Sequence, residues 1–157
     1  MGKTKFTIEP GQSTITIERE FDAPREKVFA AFIDPDVIGK WWGGKTYETT
    51  IETFEPHAGG SWRFVQKTSD AEYAFHGVFH DVTAPERAIQ TFEFDGLPES
   101  GHVAMDSMWL TEENGKTKMK IVSAFQSVED RDGMVDSGME KGASEGYDVL
   151  AEIVESA

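Results

Sequence analysis

The residues able to do chemistry in this 157-residue chain are four histidines, 29 acidic side chains and a serine set between glycines. The serine is Ser144, in the stretch GASEG from Gly142 to Gly146. Such a G-x-S-x-G run marks a nucleophile elbow when it joins a strand to a helix and a triad histidine comes later in the chain. Here His57, His76, His80 and His102 all precede it. The stretch also lies inside a helical run, so nucleophilic catalysis at Ser144 is not expected. His76 and His80 share a strand face, but four residues of strand separate them by about 13 Å. Two ligands of one zinc each sit about 2 Å from it, so these two cannot share a metal, and surface histidines are expected. Carboxylate pairs suited to acid–base work arise by chance among so many acids. Glu72, Glu93 and Asp106 are the ones nearest the predicted aromatic strands, and solvated carboxylates are the expectation. No phosphate-binding loop or dinucleotide fingerprint is present. Cysteine is absent, which excludes disulfides and thiolate chemistry. No metal, cofactor or catalytic residue is expected.

The elements carry a different message. Residues 14–21, TITIEREF, alternate as a half-buried strand, with Ile15, Ile17 and Phe21 on one face. DAPREKVFAAFID then reads as a helix, with Asp22 able to cap it, Pro24 in its first turn and Val28, Phe29 and Phe32 as its apolar stripe. Pro35 ends that helix and starts a second one. In DPDVIGKWWGG, residues 34–44, Trp41 follows Val37 by four and Trp42 follows Ile38 by four, which is helical neighbour spacing.

Six strands are predicted next, over 46–55, 60–67, 72–83, 87–95, 102–112 and 116–126, divided by turn-forming stretches. One of these carries Asn114-Gly115, a strong hairpin signal. One face of the middle strands is aromatic: Trp62 and Phe64, then Phe75, Gly77 and Phe79, then Phe92 and Phe94. Arg63, His76, His80, Thr91 and Glu93 occupy the opposite face.

The spacing of apolar and small residues predicts one long helix over 129–155, about 40 Å at 1.5 Å per residue. Its stripe is small at Gly138, Gly142, Ala143 and Gly146 and bulky at Val149, Leu150, Ile153 and Val154. Each mid-helix glycine costs about 1 kcal/mol relative to alanine, so something must offset three of them. A helix tapered in this way leaves space beneath its thin half. Short hairpins leave no room for crossover helices, so the sheet is a meander with the long helix as its cover. The class is α+β.

Residues 1–12 read as a loose leader and 13–157 as a single domain. A formal net charge of −14 and a pI near 4.6 argue against nucleic acid and anionic membrane surfaces as partners. No apolar run approaches the roughly 20 residues of a membrane span, and the cytoplasm is the expected location.

Four separated blocks carry a family resemblance: REFDAPREKVFAAFIDPDVIGKWWGG, GGSWRF, HGVFHDVTAPERAIQTFEF and GMEKGASEGYDVLAEIVES. In this order they resemble proteins similar to the activator of heat-shock protein 90 ATPase, within the START-like (SRPBCC) superfamily. The resemblance implies the helix-grip fold, a curved antiparallel sheet around a long C-terminal helix with a hydrophobic cavity between them. It also places the short tryptophan-bearing helix beside that cavity. Trp41 is then expected as a core anchor and Trp42 nearer the cavity mouth. The expected ligand is a small hydrophobic molecule. The candidate wall residues are Trp42, Trp62, Phe64, Phe75, Phe79, Phe92, Phe94, Met105, Met139, Ala143 and Tyr147, with Tyr147 lying off the main helical stripe.

Where the family commonly has a tryptophan, this chain has Ala143, and Tyr147 stands where a leucine is common, so the cavity is expected to be enlarged. Two alternatives follow from the family. One is a co-chaperone-like domain acting on a chaperone ATPase. The other is a cyclase- or dehydratase-like enzyme, which requires a carboxylate or histidine turned inward with a perturbed pKa.

Overall fold

The computed structural model describes residues 2–156. Eight strands form one antiparallel sheet: β1 (Lys5–Thr7), β2 (Thr14–Phe21), β3 (Glu48–Phe54), β4 (Ser61–Lys67), β5 (Glu72–Thr83), β6 (Arg87–Phe94), β7 (Val103–Glu113) and β8 (Lys116–Ala124). The helices are α1 (Arg25–Ile33), α2 (Pro35–Trp41), α3 (Val128–Asp136) and α4 (Met139–Glu155). The spatial order is β1-β2-β8-β7-β6-β5-β4-β3. Strands β3 to β8 are therefore a meander, and β2 adds to it beside β8. This is the α+β helix-grip architecture, with α4 covering the inner face of the sheet.

Local chemistry accounts for most boundaries. Asp34 accepts a hydrogen bond from the Asp36 amide at 3.0 Å and caps α2, whose first residue is Pro35. That helix closes on Trp42, whose N–H donates to Ile38 O at 2.9 Å. Asn114 and Gly115 both take positive φ, 55° and 77°, so the β7–β8 connection is the two-residue turn the sequence announces. It sets a register in which Leu110 opposes Met119 and Met108 opposes Ile121.

Three expectations are corrected. The 1–12 leader is not loose throughout, because Lys5–Thr7 pair with β2. Arg131 reinforces this segment, donating from buried guanidinium nitrogens to Glu9 O at 2.9 Å and Thr14 O at 3.0 Å. Asp22 does not cap α1; Pro24 holds that position with no side-chain cap, and the Asp22 amide donates to Glu155 Oε2 at 3.0 Å. The long terminal helix is two helices. Gly138 sits between them at φ 87°, a left-handed position that costs glycine little and stops α3. The 17 residues of α4 span about 26 Å.

The core lies between the sheet and the helices, with Ile15, Phe21, Val28, Phe29, Leu110 and Leu150 at most 1% exposed. Arg19 is also buried, on the inner face of β2. It donates to Asp148 Oδ1 on α4 at 2.6 Å and stands 5.5 Å from the Phe21 ring centroid.

Candidate functional site

The inner face of the sheet does not close on α4 along its full length. A cavity of about 380 Å³ lies between them, within the range of roughly 300–1,000 Å³ that small-molecule pockets occupy. Its position follows from the taper of α4. A Cβ added at Gly142 meets nothing within 4 Å, and Gly142, Ala143 and Met139 all line the space. Gly146 has a different role. A Cβ there would lie 2.8 Å from Trp41 O, so its smallness lets α2 cross close to α4. Leu150, Ala151 and Val154 then seal the far end, each at most 2% exposed.

Of the residues expected in the wall, Trp42, Trp62, Phe64, Phe75, Phe79, Phe92, Met139, Ala143 and Tyr147 line this space. Trp42 stands at the centre of an aromatic group. Its ring centroid is 5.1 Å from Phe64, 5.2 Å from Phe75 and 6.4 Å from Trp62, all in edge-on arrangements. Edge-on contact suits aromatic quadrupoles. Trp41 is buried, anchored by Nε1 donating to Ala31 O at 3.0 Å and packed on Phe32 and Tyr147, yet it also reaches the cavity. Trp62 Nε1 donates to Thr91 O at 3.1 Å. Gly77 makes room for that bond, because a Cβ there would collide with both partners. Tyr147, which lies off the predicted stripe, is buried and faces the cavity.

Two expectations fail by position. Met105 is 46% exposed on the outer face. Strand period places Ala104, Asp106 and Met108 inward instead, and all three line the cavity. Phe94 lines not the inner space but an adjoining outer chamber of about 690 Å³. Both chambers are bordered by Tyr47, Gln66, Phe75, Phe92 and Met134. The outer one opens between the β6–β7 loop and α3, where His102 Nδ1 bonds the Asp130 carboxylate at 3.0 Å. That bond raises the His102 pKa.

Sequence reading missed the polar floor. Gln90 opposes Asp106 and Asp106 opposes Ser123 across β6, β7 and β8, and all three side chains line the inner cavity. This row lies between the apolar row Ala88–Met108–Ile121 and the pair Phe92–Ala104. Asp106 retains some accessible surface, but that surface faces the cavity. Burial pushes its carboxyl pKa up to about 6, and the Ser123 hydroxyl offsets part of the rise. The Tyr147 hydroxyl is pushed up from its usual value by burial and by the nearby Asp106 charge. The signal was in the hairpin. Pairing outward from Asn114-Gly115 aligns the inward Met119, Ile121 and Ser123 with Leu110, Met108 and Asp106.

The other candidates disperse. Ser144 is not part of the cavity wall. His76 lies 2.6 Å from Asp95 and 3.3 Å from Glu93 in a surface ion network with Arg63. Glu72 is exposed. Among the described residues there is no group of three or more His, Asp or Glu side chains able to hold a metal. No helix of the described residues is long and apolar enough to cross a membrane. The inner cavity can therefore surround an apolar body with aromatic rings and offer one carboxylate, with Gln90 and Ser123 beside it. An inward carboxylate is also what the enzyme alternative required.

Comparison with known proteins places this geometry. A Mycobacterium smegmatis protein of known structure shares 23% identity and superposes with a TM-score of 0.88, covering 99% of this chain and 98% of its own. An Arthrobacter aurescens protein shares 28% identity at a TM-score of 0.84, covering 94% of this chain and 91% of its own. CalU16 from Micromonospora echinospora shares 22% identity at a TM-score of 0.62, covering 96% of this chain and 74% of its own. No curated protein matches the sequence. The family model described as activator of Hsp90 ATPase homolog 1-like protein matches residues 22–155. With nearly the whole domain matched and the helix-grip fold in place, the chain belongs to the activator of Hsp90 ATPase homolog 1-like family of the START-like superfamily.

Proposed function

We propose that this protein binds a small hydrophobic molecule in the cavity between the sheet and α4. The observation that carries this reading is the space itself, about 380 Å³ walled by Trp42, Trp62, Phe64, Phe75 and Phe92 under the open flank of Gly142 and Ala143. Apolar voids of this size destabilise a fold in proportion to their volume, and an occupant that restores the missing contacts offsets the loss. Mass spectrometry of denatured extracts from purified protein is expected to release a hydrophobic compound, and hydrophobic libraries are expected to raise the melting temperature. Ala143→Trp fills the chamber from α4 and is expected to remove those shifts while the protein stays folded. Shifts of equal size in Ala143→Trp and wild type would place any binding elsewhere.

A second reading is favoured by Asp106. A carboxylate with a raised pKa inside an aromatic cavity can exchange a proton with a bound molecule, as a cyclase- or dehydratase-like enzyme needs. Turnover of a bound compound that disappears in Asp106→Asn supports it; a compound released unchanged after prolonged incubation with the wild type rejects it.

A further inference from the structure

The charge inventory of the cavity narrows its ligand further. Among the described residues, the inner chamber is lined by no lysine, arginine or histidine, and Asp106 is its single carboxylate. The outer chamber leading to it presents Glu99, Glu129 and Asp130, with His102 as the one basic side chain. A fatty acid or any other organic anion bound here has no cation to pair with and a carboxylate to face. Burying such a like-charge pair in a low-dielectric space is strongly unfavourable. A neutral hydrocarbon fits the walls and leaves the ionised Asp106 desolvated and without a counter-charge. A cation satisfies both parts of the lining. It pairs with the carboxylate, and a lining rich in indole and phenyl rings is the kind of surface that accepts cations. The field of a chain with formal net charge −14 draws the same ligand toward the mouth.

We propose that the cavity takes a cationic amphiphile: an apolar or aromatic body carrying one protonated amine, the nitrogen paired with Asp106 on the floor and the body held among Trp42, Trp62 and Phe75. This rests on the cavity being a binding site, as proposed above, and adds the chemical class of the occupant. Gln90 and Ser123 stand beside the carboxylate on the neighbouring strands, and Tyr147 lies near it on α4. None of these three carries a charge at neutral pH, so ionisation of Asp106 sets the charge of the inner chamber, while in the outer one His102, its pKa raised by Asp130, also gains charge as the pH falls. Burial pushes that carboxyl up to about pH 6, which makes amine binding pH-dependent in a range where the amine itself stays protonated.

The test compares three probes of one shape by isothermal calorimetry: 1-naphthylmethylamine, 1-naphthylmethanol and 1-naphthylacetate. At pH 8 the amine is expected to bind about tenfold more tightly than the alcohol, and the acetate about tenfold more weakly than the alcohol, the size of a desolvated charge contact. Lowering the pH to 5 is expected to weaken the amine about tenfold and leave the alcohol unchanged. In Asp106→Asn the amine is expected to lose its advantage over the alcohol, so that the two bind with similar affinity. If the alcohol binds as tightly as the amine to the wild-type protein, or the amine keeps its advantage in Asp106→Asn, the cationic assignment falls and the hydrophobic cavity reading stands. If none of the three binds, both fall. The pH series needs no variant, so the proposal stays testable even where Asp106→Asn folds poorly.

Discussion

Asp106 leaves a signature on stability as well as on binding. Its folded pKa of about 6 lies above its ordinary value of 3.8. Between those values the folded state holds the proton more tightly than the unfolded chain does. Stability from this group is therefore complete below pH 3.8 and is lost as pH rises through about 6. Two pKa units correspond to about 3 kcal/mol, so Asp106→Asn is expected to be more stable than the wild type at pH 8 by up to that amount. The advantage should shrink steadily toward pH 4.5. Urea unfolding midpoints across that range read it directly, and a difference that does not change with pH would mean that burial of the charge is not the cause. This residue also shows where sequence reading fails locally. On β7 the outward set Val103, Met105 and Trp109 is as apolar as the inward set Ala104, Met108 and Leu110, so composition could not choose between the faces. Pairing with the cleanly alternating β8, where Lys116, Lys118 and Lys120 oppose Thr117, Met119 and Ile121, selects the other.

The two helical glycines of α4 separate space from close packing. Gly142→Ala adds a methyl where nothing lies within 4 Å, and the gain in helix propensity is about 1 kcal/mol. Gly146→Ala drives a methyl to 2.8 Å from Trp41 O, a backbone atom unable to move aside without shifting α2. That substitution is expected to cost more than the propensity returns, a net loss of about 1–3 kcal/mol. Opposite signs in chemical denaturation would separate the roles; the same sign for both would contradict the packing described here. Docking of α4 on β2 also depends on Arg19 and Asp148. The Arg19 guanidinium is buried, with Nε and Nη2 lacking partners. Asp148→Ala strands that charge and is expected to cost about 2 kcal/mol, whereas Arg19→Met removes charge and desolvation together and should cost less. The reverse order in thermal unfolding would show that the ion pair is not what Arg19 is buried for.

At the scale of the molecule the acids dominate. A formal net charge of −14 on 157 residues sets up self-repulsion that salt screens over roughly 10 Å at 0.1 M. Raising sodium chloride from 20 to 300 mM is expected to increase the melting temperature by a few degrees, and a flat response would mean that the acids are already compensated locally. The same field bears on ligand choice, since it repels organic anions from the mouth before the lining is reached. The architecture was largely legible from periodicity, because each strand of the meander is short, alternates in polarity and ends in a turn signal. The cover was less so. A stripe of small residues looks alike whether it continues a helix, stops one or admits a neighbour. Gly138 stops α3, Gly142 faces space and Gly146 admits α2.

Local rules set much of this protein in advance. Alternation and turn chemistry specify the strands, their aromatic face and the hairpin at Asn114-Gly115, and four sequence blocks identify the family. Folding settles what depends on distance across the sheet: which parity of β7 looks inward, where a helix with a small flank leaves a cavity, and which of 29 acids loses its water. A carboxylate's environment is made by residues far apart in the chain, so the sequence lists Asp106 beside Glu72 and Glu93, and the hairpin register can turn it inward, but neither shows that it is buried. It becomes distinctive when β6, β8 and α4 bring Gln90, Ser123 and Tyr147 around it.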